Sequence, residues 1–528
     1  MIKELIRFKN RHPFITILMI GLFLRIIAAI FSKGFGMHDD HFLVIEPAAS
    51  WADGGDYTKW LPRTGNTPQG HSFFYVGLNY LLISFLKFLG INSPQAIMFI
   101  NRLLHAFLSL FVISFGYRIA SLISNKKTAY LVALLLSVYW FMPFASVRNL
   151  VEIVSIPFLL YGTLIILRQE LIRKEGTSNY HRTSFLIAGF FLGLAFSVRF
   201  QTLFYTAGIC LALLIAKNWK GFFITTLGIV ISIVLVQGCI DFMVWRKPFA
   251  ELIEYVVYNM EHATSYFNKP WYNYLIVIFG LLIPPISLML LWGFFRSWKK
   301  HYLLFLPTFC FLLFHSIFPN KQERFILPII PMIIILGTVG WNDFVQHGVF
   351  WKKHIKLEKS FWIFFAVVNT IGLVLITPMY SKKSRVESMS YLRNYPQTTY
   401  FLLEDTKNTT LRFPPVFYTG FWPEYNAIMK KDGTNERSRE ISFETFETFK
   451  DWHQVENQPA FILFYQLYDI ENRVETMKNY FPDLEYETTT TPSFMDLLLH
   501  RVNPRNANES IVIYRNKTVI PEKFDQKK

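Results

Sequence analysis

The chain has 528 residues, of which 52% are hydrophobic, 18% aromatic and only 17% charged. Soluble globular proteins are roughly 25% charged, so an ordinary soluble enzyme is excluded. The 53 Lys+Arg against 37 Asp+Glu leave a net charge of +16. In a membrane protein such an excess is typical of cytoplasmic loops, so it is no sign of nucleic-acid binding. The three cysteines all lie in apolar runs, which argues against a disulfide framework or a cysteine metal site.

Apolar stretches long enough to cross a bilayer recur from the N-terminus to about residue 380. A basic head, residues 1–13, precedes the first of them and predicts a cytoplasmic N-terminus. No small-residue cleavage site follows, so we expect an uncleaved first span. The stretches lie near 14–32, 72–90, 96–117, 128–145, 150–167, 184–198, 201–216, 221–241, 271–294, 302–319, 324–341 and 361–379.

Loop charges orient these stretches. Five basic loops are predicted to be cytoplasmic, at 118–127, 168–183, 217–220, 296–301 and 342–359. The other connections, including 32–71, then lie outside, as does the tail. A chain that passes from the outside loop 32–71 to the inside loop 118–127 must cross the membrane an odd number of times. Two apolar stretches lie between these loops, so one of them is interfacial or re-entrant, or the pair is divided differently. We predict an all-α polytopic membrane domain over 1–380 with about eleven transmembrane helices.

Two further segments differ from the spans. Residues 246–266 mix apolar and acidic residues at helical spacing, which predicts a helix lying in the membrane interface. Residues 381–528 carry alternating apolar runs separated by turn residues, which predicts a small soluble α/β domain on the external side. The runs lie at 399–403, 460–464, 494–499 and 510–514.

The first external loop carries a cluster of candidate catalytic groups. Asp39 and Asp40 stand between His38 and His41, and Glu46 follows. Adjacent carboxylates just beyond a span are costly to bury unless they are used or solvated. Two alternatives stay open: Asp39 could cap a helix, or the residues could bind a divalent metal. Four adjacent residues rarely all reach one ion, so the metal is the weaker alternative.

Cations form a second group of candidates. Lys321 and Arg324 lie in an external loop that enters a span, where they could clamp a lipid phosphate. The alternative is a snorkelling interfacial pair. The predicted topology brings further charges to the same face as the acidic loop, namely Arg148, Glu152 and Arg199. Arg148 and Glu152 could instead be an i,i+4 helix pair, and Arg102 is a further charge in an apolar stretch.

The acidic loop resembles a known motif. In glycosyltransferase family 22 the first loop reads His-Pro-Asp-Glu-x-Phe-Gln-x-x-Glu. Laid without gaps on 37–46, it matches at Asp39, Phe42 and Glu46, and Asp40 replaces the family's Glu. Met37, His38 and Leu43 depart from the pattern.

The cationic loop resembles a second motif of that family, His-Lys-Glu-x-Arg-Phe followed by an apolar run containing proline. Laid on 320–325, it matches at Lys321, Arg324 and Phe325, whereas Asn320 and Gln322 depart. The two patterns lie some 280 positions apart and on the expected side of the membrane. The chain therefore resembles the polytopic GT-C glycosyltransferases, most closely the mannosyltransferases of the dolichol-linked oligosaccharide and GPI-anchor pathways.

The resemblance implies a GT-C fold and transfer of a hexose, most often mannose, from a polyprenyl- or dolichyl-phosphate donor to a glycan or glycolipid acceptor, with inversion. Asp39 would be the base, and Asp40 a second candidate or an orienting group. Lys321, Arg324 and Arg199 would stabilise the leaving phosphate. The groups expected to support the loop or bind the acceptor are His38, His41, Glu46, Arg148 and Glu152. The chemistry requires no metal, although His38 and His41 keep a metal site as an open alternative.

Two other classes of function remain. A transporter or flippase of an anionic lipid or solute could also use charges at one face, but the chain shows no internal repeat and the charges lie far from the midplane. A scaffold without catalysis is the third interpretation. Short loops and the departures from the family motifs favour a bacterial inner membrane over the endoplasmic reticulum.

Overall fold

The computed structural model describes residues 11–62, 67–176, 181–265, 267–407, 411–430, 440–442, 446, 450–503 and 508–523. Most of the predicted basic head lies outside them. The chain divides into two compact units. The first comprises Met1–Phe31, Lys59–Asn79 and Ile100–Pro378, and the second Ser32–Thr58, Tyr80–Phe99 and Met379–Lys528. The predicted boundary at 380/381 falls next to Met379, and two earlier segments belong with the tail.

Helices account for nearly all of the regular structure before residue 380. Within the described residues, six are long and apolar enough to cross a membrane, judged by length and composition: Pro13–Phe31, Pro94–Ile123, Val151–Glu175, Trp219–Trp245, Glu323–His347 and Ile355–Ile376. Shorter apolar helices are Phe73–Phe88, Thr183–Val198, Phe200–Ile215, Ile286–Arg296 and Tyr302–Ile317. Other helices are Lys126–Val138, Met142–Ser146, Ala250–Glu261, Asn273–Leu281 and Val349–Lys353.

Proline alters the helices of two predicted stretches. The single stretch expected at 271–294 is wrong in detail, because Asn273–Leu281 and Ile286–Arg296 are separate helices. Pro284 and Pro285 lie between them, and proline lacks the N–H that an unbroken helix needs. The span near 324–341 opens with the tighter 3₁₀ turn Glu323–Ile329, which contains Pro328.

Small residues bring helices of the first unit into close contact. Helices Thr183–Val198 and Trp219–Ile233 approach so closely that a Cβ on Gly189 would lie 2.1 Å from the Thr225 carbonyl oxygen. A Cβ on Gly228 would lie 2.3 Å from the Leu186 carbonyl oxygen. Small residues allow such approach where association depends on van der Waals packing.

The helix predicted over 246–266 is confirmed as a helix at Ala250–Glu261. Ala250 and Glu251 are buried at its first turn. The apolar side chains of Ile253, Val256 and Met260 are exposed on it. Such a row of exposed apolar side chains is the pattern expected of a helix that lies along a membrane surface.

The tail forms the predicted α/β structure. Its strands are β1 (Tyr400–Asp405), β2 (Glu424–Met429), β3 (Glu440–Ser442), β4 (Phe461–Tyr465), β5 (Leu484–Thr490) and β6 (Ile511–Asn516). Within the described residues they form a six-stranded sheet in the order β3-β2-β1-β4-β6-β5. Strands β3, β2, β1 and β4 pair in parallel, and β6 pairs antiparallel with both β4 and β5. Every residue of β1 and β4 is buried, as continuous apolar runs of central parallel strands require.

The helices of the tail include Lys383–Leu392, Ile470–Lys478 and Phe494–Val502. The run at 494–499, grouped by its pattern with the strand candidates, is therefore helical. Ser493 explains the difference, because its side chain accepts a hydrogen bond from the Asp496 N–H and Asp496 reaches back to the Ser493 N–H. This reciprocal capping box starts a helix.

Candidate active site

The two aspartates lie in a continuous helical segment. His38–Asp40 forms one turn, His41–Ile45 a wider π turn, and Glu46–Ala52 a further short helix. The N-cap of the first turn is Met37, so the alternative in which Asp39 caps a helix is wrong. Asp39 is half-buried and Asp40 is only 4% exposed. π turns often occur at functional sites, since the extra residue redirects neighbouring side chains.

His41 and Glu46 fasten this segment within the second unit. The His41 ring is stacked between Phe35, at 4.9 Å between centroids, and Tyr418, at 5.4 Å. Its Nε2 lies 3.2 Å from Glu46 Oε1. The same carboxylate oxygen accepts a 3.0 Å hydrogen bond from the Phe417 N–H. Glu46 therefore holds the segment in place, as expected of a supporting residue.

His38 is the first residue of the segment. The residue is exposed, and its ring centroid lies 4.5 Å from that of Phe42 and 5.3 Å from that of Phe413. Desolvation lowers the pKa of His38 to about 4, and the nearby charges of Arg385 and Lys382 lower it further against the opposing effect of Asp39. His38 is therefore neutral at pH 7.

In the first unit, Glu152, Arg199 and Arg324 form a buried group, which we call the arginine cluster. Glu152 stands in the first turn of Val151–Glu175, Arg199 ends Thr183–Val198, and Arg324 lies in the 3₁₀ turn. Arg199 Nη2 is 3.1 Å from Glu152 Oε1, and Arg324 Nε is 3.9 Å from the same oxygen. Glu152 is fully buried and Arg324 is 6% exposed. The structure thus brings together three residues that are up to 172 positions apart.

The cluster carries more positive than negative charge. One carboxylate faces two guanidinium groups, so the three residues sum to +1. Glu152 Oε2 has no hydrogen-bond partner, and both guanidinium carbons lie over the Phe325 ring, at 5.1 Å for Arg199 and 5.4 Å for Arg324. Electrostatic interactions are strong away from water. The arrangement therefore suits an anionic group better than a neutral one.

Lys321 is buried in its own loop. Only 1% of it is exposed, and its Nζ donates a 2.5 Å hydrogen bond to the Phe318 carbonyl oxygen. The Lys321 N–H bonds the Phe267 carbonyl at 3.1 Å. Burial lowers the pKa of Lys321. Its ammonium group points back into the loop, so the snorkelling alternative is wrong for this residue.

Arg148 and Arg102 have different surroundings. Arg148 precedes the helix that begins at Val151, so the i,i+4 helix pair with Glu152 is wrong. Its guanidinium lies 4.2 Å from the centre of the Phe144 ring. Arg102 is 3% exposed, and its Nε donates a 2.8 Å hydrogen bond to the Ala29 carbonyl oxygen.

Sequence reasoning missed a buried polar chain in the first unit. Ser72 Oγ donates to Gln237 Oε1 at 2.7 Å, and Gln237 Nε2 donates to Asp241 Oδ1 at 2.8 Å. Asp241 Oδ2 accepts from the Glu251 N–H at 3.1 Å, and Glu251 Oε2 accepts from the His71 N–H at 3.1 Å. Burial raises the pKa of Glu251 to about 7, and the charge of Asp241 adds to this. Asp241, a carboxylate inside an apolar stretch, was the available signal.

The metal alternative receives no support from the acidic segment. Among the residues that the structure describes, no group of three or more His, Cys, Asp or Glu side chains is placed to hold a metal ion. The expectation that the chemistry needs no metal stays a prediction.

Known proteins resemble this chain in sequence. The family model of the Alg9-like mannosyltransferases matches residues 16–418. The chain belongs to this family. A GPI mannosyltransferase 3 of Debaryomyces hansenii is 22% identical over 410 residues, which cover 74% of this chain and 69% of the relative. The human alpha-1,2-mannosyltransferase ALG9 is 30% identical over 188 residues, or 31% of each chain.

A solved structure supports the fold. The crystal structure of ArnT from Cupriavidus metallidurans bound to undecaprenyl phosphate superposes with a TM-score of 0.58 at 11% identity. The match covers 95% of this chain and 97% of ArnT. At such a low identity the match shows the fold alone. It confirms the GT-C architecture of helices followed by a small sheet domain.

Together these findings confirm the predicted class of protein. The chain is a multi-pass membrane glycosyltransferase from a family of mannosyltransferases. The transporter alternative receives no support.

Proposed function

We propose that the chain transfers mannose from a polyprenyl-phosphate donor to a glycan or glycolipid acceptor on the external side of the membrane, with inversion. The observation that carries the proposal is the arginine cluster, which buries two cations against one carboxylate in a member of this family. A lipid phosphate would balance the net positive charge of these three residues. Charge-assisted hydrogen bonds from arginine to phosphate are among the strongest in proteins.

The catalytic roles follow from the chemistry of a single displacement. One carboxylate must take the proton of the acceptor hydroxyl while that oxygen bonds to the anomeric carbon. We assign this role to Asp39, which is half-buried and matches the family's aspartate, with Asp40 second. The departing lipid phosphate takes the electron pair of the broken bond and needs cations rather than an acid. Arg199 and Arg324 are suited to this, and Lys321 is a third candidate.

The placement in the cell belongs to the same proposal. Eleven crossings, a cytoplasmic N-terminus and an external tail are supported by the five basic loops. The named relatives come from eukaryotes, whereas the short loops favour a bacterial inner membrane. No metal cofactor is needed in this mechanism.

The donor is tested by native mass spectrometry of the gently purified protein with a panel of polyprenyl-phosphate sugars. We expect selective retention of one sugar lipid, weakened about tenfold or more by Arg324→Ala, since a charged hydrogen bond contributes about 1.5–3 kcal/mol. Lys321→Ala tests the third cation in the same way. If no sugar lipid is retained above bare polyprenyl phosphate, the donor assignment is wrong.

The base is tested with Asp39→Asn, which keeps the shape of the side chain and removes its basicity. We expect turnover to fall by about 10³-fold, in the range of general-base catalysis, with donor retention unchanged. Asp53→Asn is the matched control, because Asp53 lies in the same unit but interacts with Lys87 and Trp422. Near wild-type transfer by Asp39→Asn would overturn the assignment.

A further inference from the structure

The C-terminal sheet has a topological switch point close to the acidic segment. Strand β2 follows β1 along one side, while β4 pairs with the other side of β1. In open parallel sheets, ligands bind in the crevice at the carboxyl ends of the strands at such a point. Here those ends carry Asp405 on β1 and Tyr465 on β4, and Gln466 follows directly.

Arg385 is a buried cation at this edge. It is 8% exposed, and one nitrogen, Nη2, donates to the Phe413 carbonyl oxygen. Its Nε is buried without a hydrogen-bond partner, and its guanidinium lies 5.2 Å over the Phe35 ring. No carboxylate of the described residues lies within ion-pair distance of it. An unpaired buried cation is costly, so a function is the reasonable explanation of its retention.

The neighbouring acids are already engaged. Asp405 accepts two hydrogen bonds from Arg412, at 2.9 and 2.7 Å. Glu404 accepts a 2.6 Å hydrogen bond from Arg473 Nε. Arg412 Nη1 also lies 3.6 Å from Glu509 Oε2. Asp405 is therefore held by Arg412, and within the described part of the chain it acts on Arg385 only from beyond ion-pair distance.

Two more polar groups at the same edge lack partners. Tyr465 is 2% exposed and Gln466 is 5% exposed, and neither the Tyr465 hydroxyl nor Gln466 Oε1 has a hydrogen-bond partner. The Arg385 charge is close enough to lower the pKa of Tyr465 against the larger effect of burial, which raises it to about 12. Gln466 also holds a left-handed backbone, with φ of 71°. Buried unsatisfied groups and backbone strain are concentrated at functional sites.

The edge adjoins the segment of the proposed base. Phe413, whose carbonyl accepts from Arg385, packs its ring 5.3 Å from the ring of His38. Phe35, which faces Arg385, is stacked on His41. Asp39 and Asp40 stand between these two histidines in the chain.

We propose that Arg385, with the Tyr465 hydroxyl and the Gln466 side chain, binds a phosphate group of the acceptor substrate beside the Asp39–Asp40 turn. The inference rests on the proposed function. The acceptor is the favoured source of the phosphate, because the donor's phosphate is already assigned to the arginine cluster. Arg385 is then a positioning residue that holds the acceptor hydroxyl near the base.

The test measures binding to the full chain in lipid nanodiscs by calorimetry, with mannose 6-phosphate as the probe and mannose as the uncharged control. We expect the wild type to prefer the phosphorylated sugar about tenfold or more, and Arg385→Gln to abolish that preference. Tyr465→Phe removes one hydroxyl and should weaken the preference about threefold with the fold intact. Arg501→Gln, an exposed arginine of the same unit, should change nothing.

The outcomes separate the sources of phosphate. If Arg385→Gln weakens retention of bare polyprenyl phosphate instead, the site belongs to the donor and the acceptor assignment is wrong. If wild type shows no preference, or neither variant alters it, there is no anion site. A wild type that transfers mannose yet shows no preference refutes the subsite alone, whereas failure to retain any sugar lipid refutes the proposed function.

Discussion

Two regions of the first unit bury arginine in opposite ways. In the first span, Arg25 is 1% exposed and all three of its nitrogens donate hydrogen bonds. Nε bonds Ser109 Oγ at 2.7 Å, Nη1 the Gly21 and Ser137 carbonyls at 3.0 and 3.2 Å, and Nη2 the Leu136 carbonyl at 3.2 Å. In the arginine cluster, two guanidinium groups share one carboxylate oxygen, and Arg199 Nε has no hydrogen-bond partner.

The difference shows that burial of charge is not by itself a sign of function. The acceptors of Arg25 are helix carbonyls and one hydroxyl, so this residue links neighbouring helices. Each of its nitrogens already donates a hydrogen bond within the fold. The three residues of the arginine cluster keep a net positive charge, and Arg199 Nε has no acceptor. Unsatisfied donors in a buried site are costly unless a ligand completes them. The comparison therefore favours a structural role for Arg25 and supports the proposal that Arg199 and Arg324 bind the donor phosphate.

The largest expected effect is that of removing the shared carboxylate. Glu152→Gln removes the carboxylate that both guanidinium groups share, which should lower the free energy of unfolding by about 3–5 kcal/mol. Differential scanning fluorimetry measures the loss, and added polyprenyl phosphate should reverse part of it, because a ligand that binds only the folded state stabilises that state. An unchanged melting temperature without lipid would mean that Glu152 does not balance the two arginines.

A smaller loss of stability is expected when Arg25 is replaced, because all three of its nitrogens have hydrogen-bond acceptors in the fold. Arg25→Ala removes the hydrogen bonds to Ser109 and the helix carbonyls and should lower the free energy of unfolding by about 2–3 kcal/mol. The folded fraction should retain the sugar lipid as the wild type does. Lys220→Ala, at an exposed position, is the control for loss of a charge. Reduced lipid retention by folded Arg25→Ala protein would break the distinction between the two regions.

The smallest expected change in stability concerns the buried polar chain, in which the charge of Glu251 depends on pH. Glu251 has a folded-state pKa of about 7, raised from 4.5. Its proton therefore stabilises the fold below about pH 4.5, and this contribution is lost as the pH rises through 7. Local opening of residues 69–72 should increase about tenfold between pH 6 and pH 8.

Hydrogen exchange of the amides of this segment, corrected for the intrinsic rate, measures that opening. Glu251→Gln cannot ionise, so its corrected exchange should be the same at both pH values. A wild type whose corrected exchange is also flat would show that Glu251 does not titrate in this range.

The site was predictable to the extent that it follows local motifs. Two short patterns indicate Asp39, Lys321 and Arg324, and charges beside apolar stretches indicate Glu152 and Arg199. The pairing of Glu152 with Arg199 instead of Arg148 was not predictable, because the helix starts at Val151. Arg385 and Tyr465 gave no signal, since an arginine in a polar tail and a tyrosine in a strand are ordinary until their neighbours are known.

The sequence by itself determined the class of protein, the succession of apolar helices and the α/β nature of the tail. These follow from composition and local periodicity, which act over a few residues and need no partner. Only the tertiary structure decided which charges share a counterion and which donors lack an acceptor. Such properties depend on contacts between residues far apart in the chain, and the burial that makes an unpaired charge costly exists only after those contacts form.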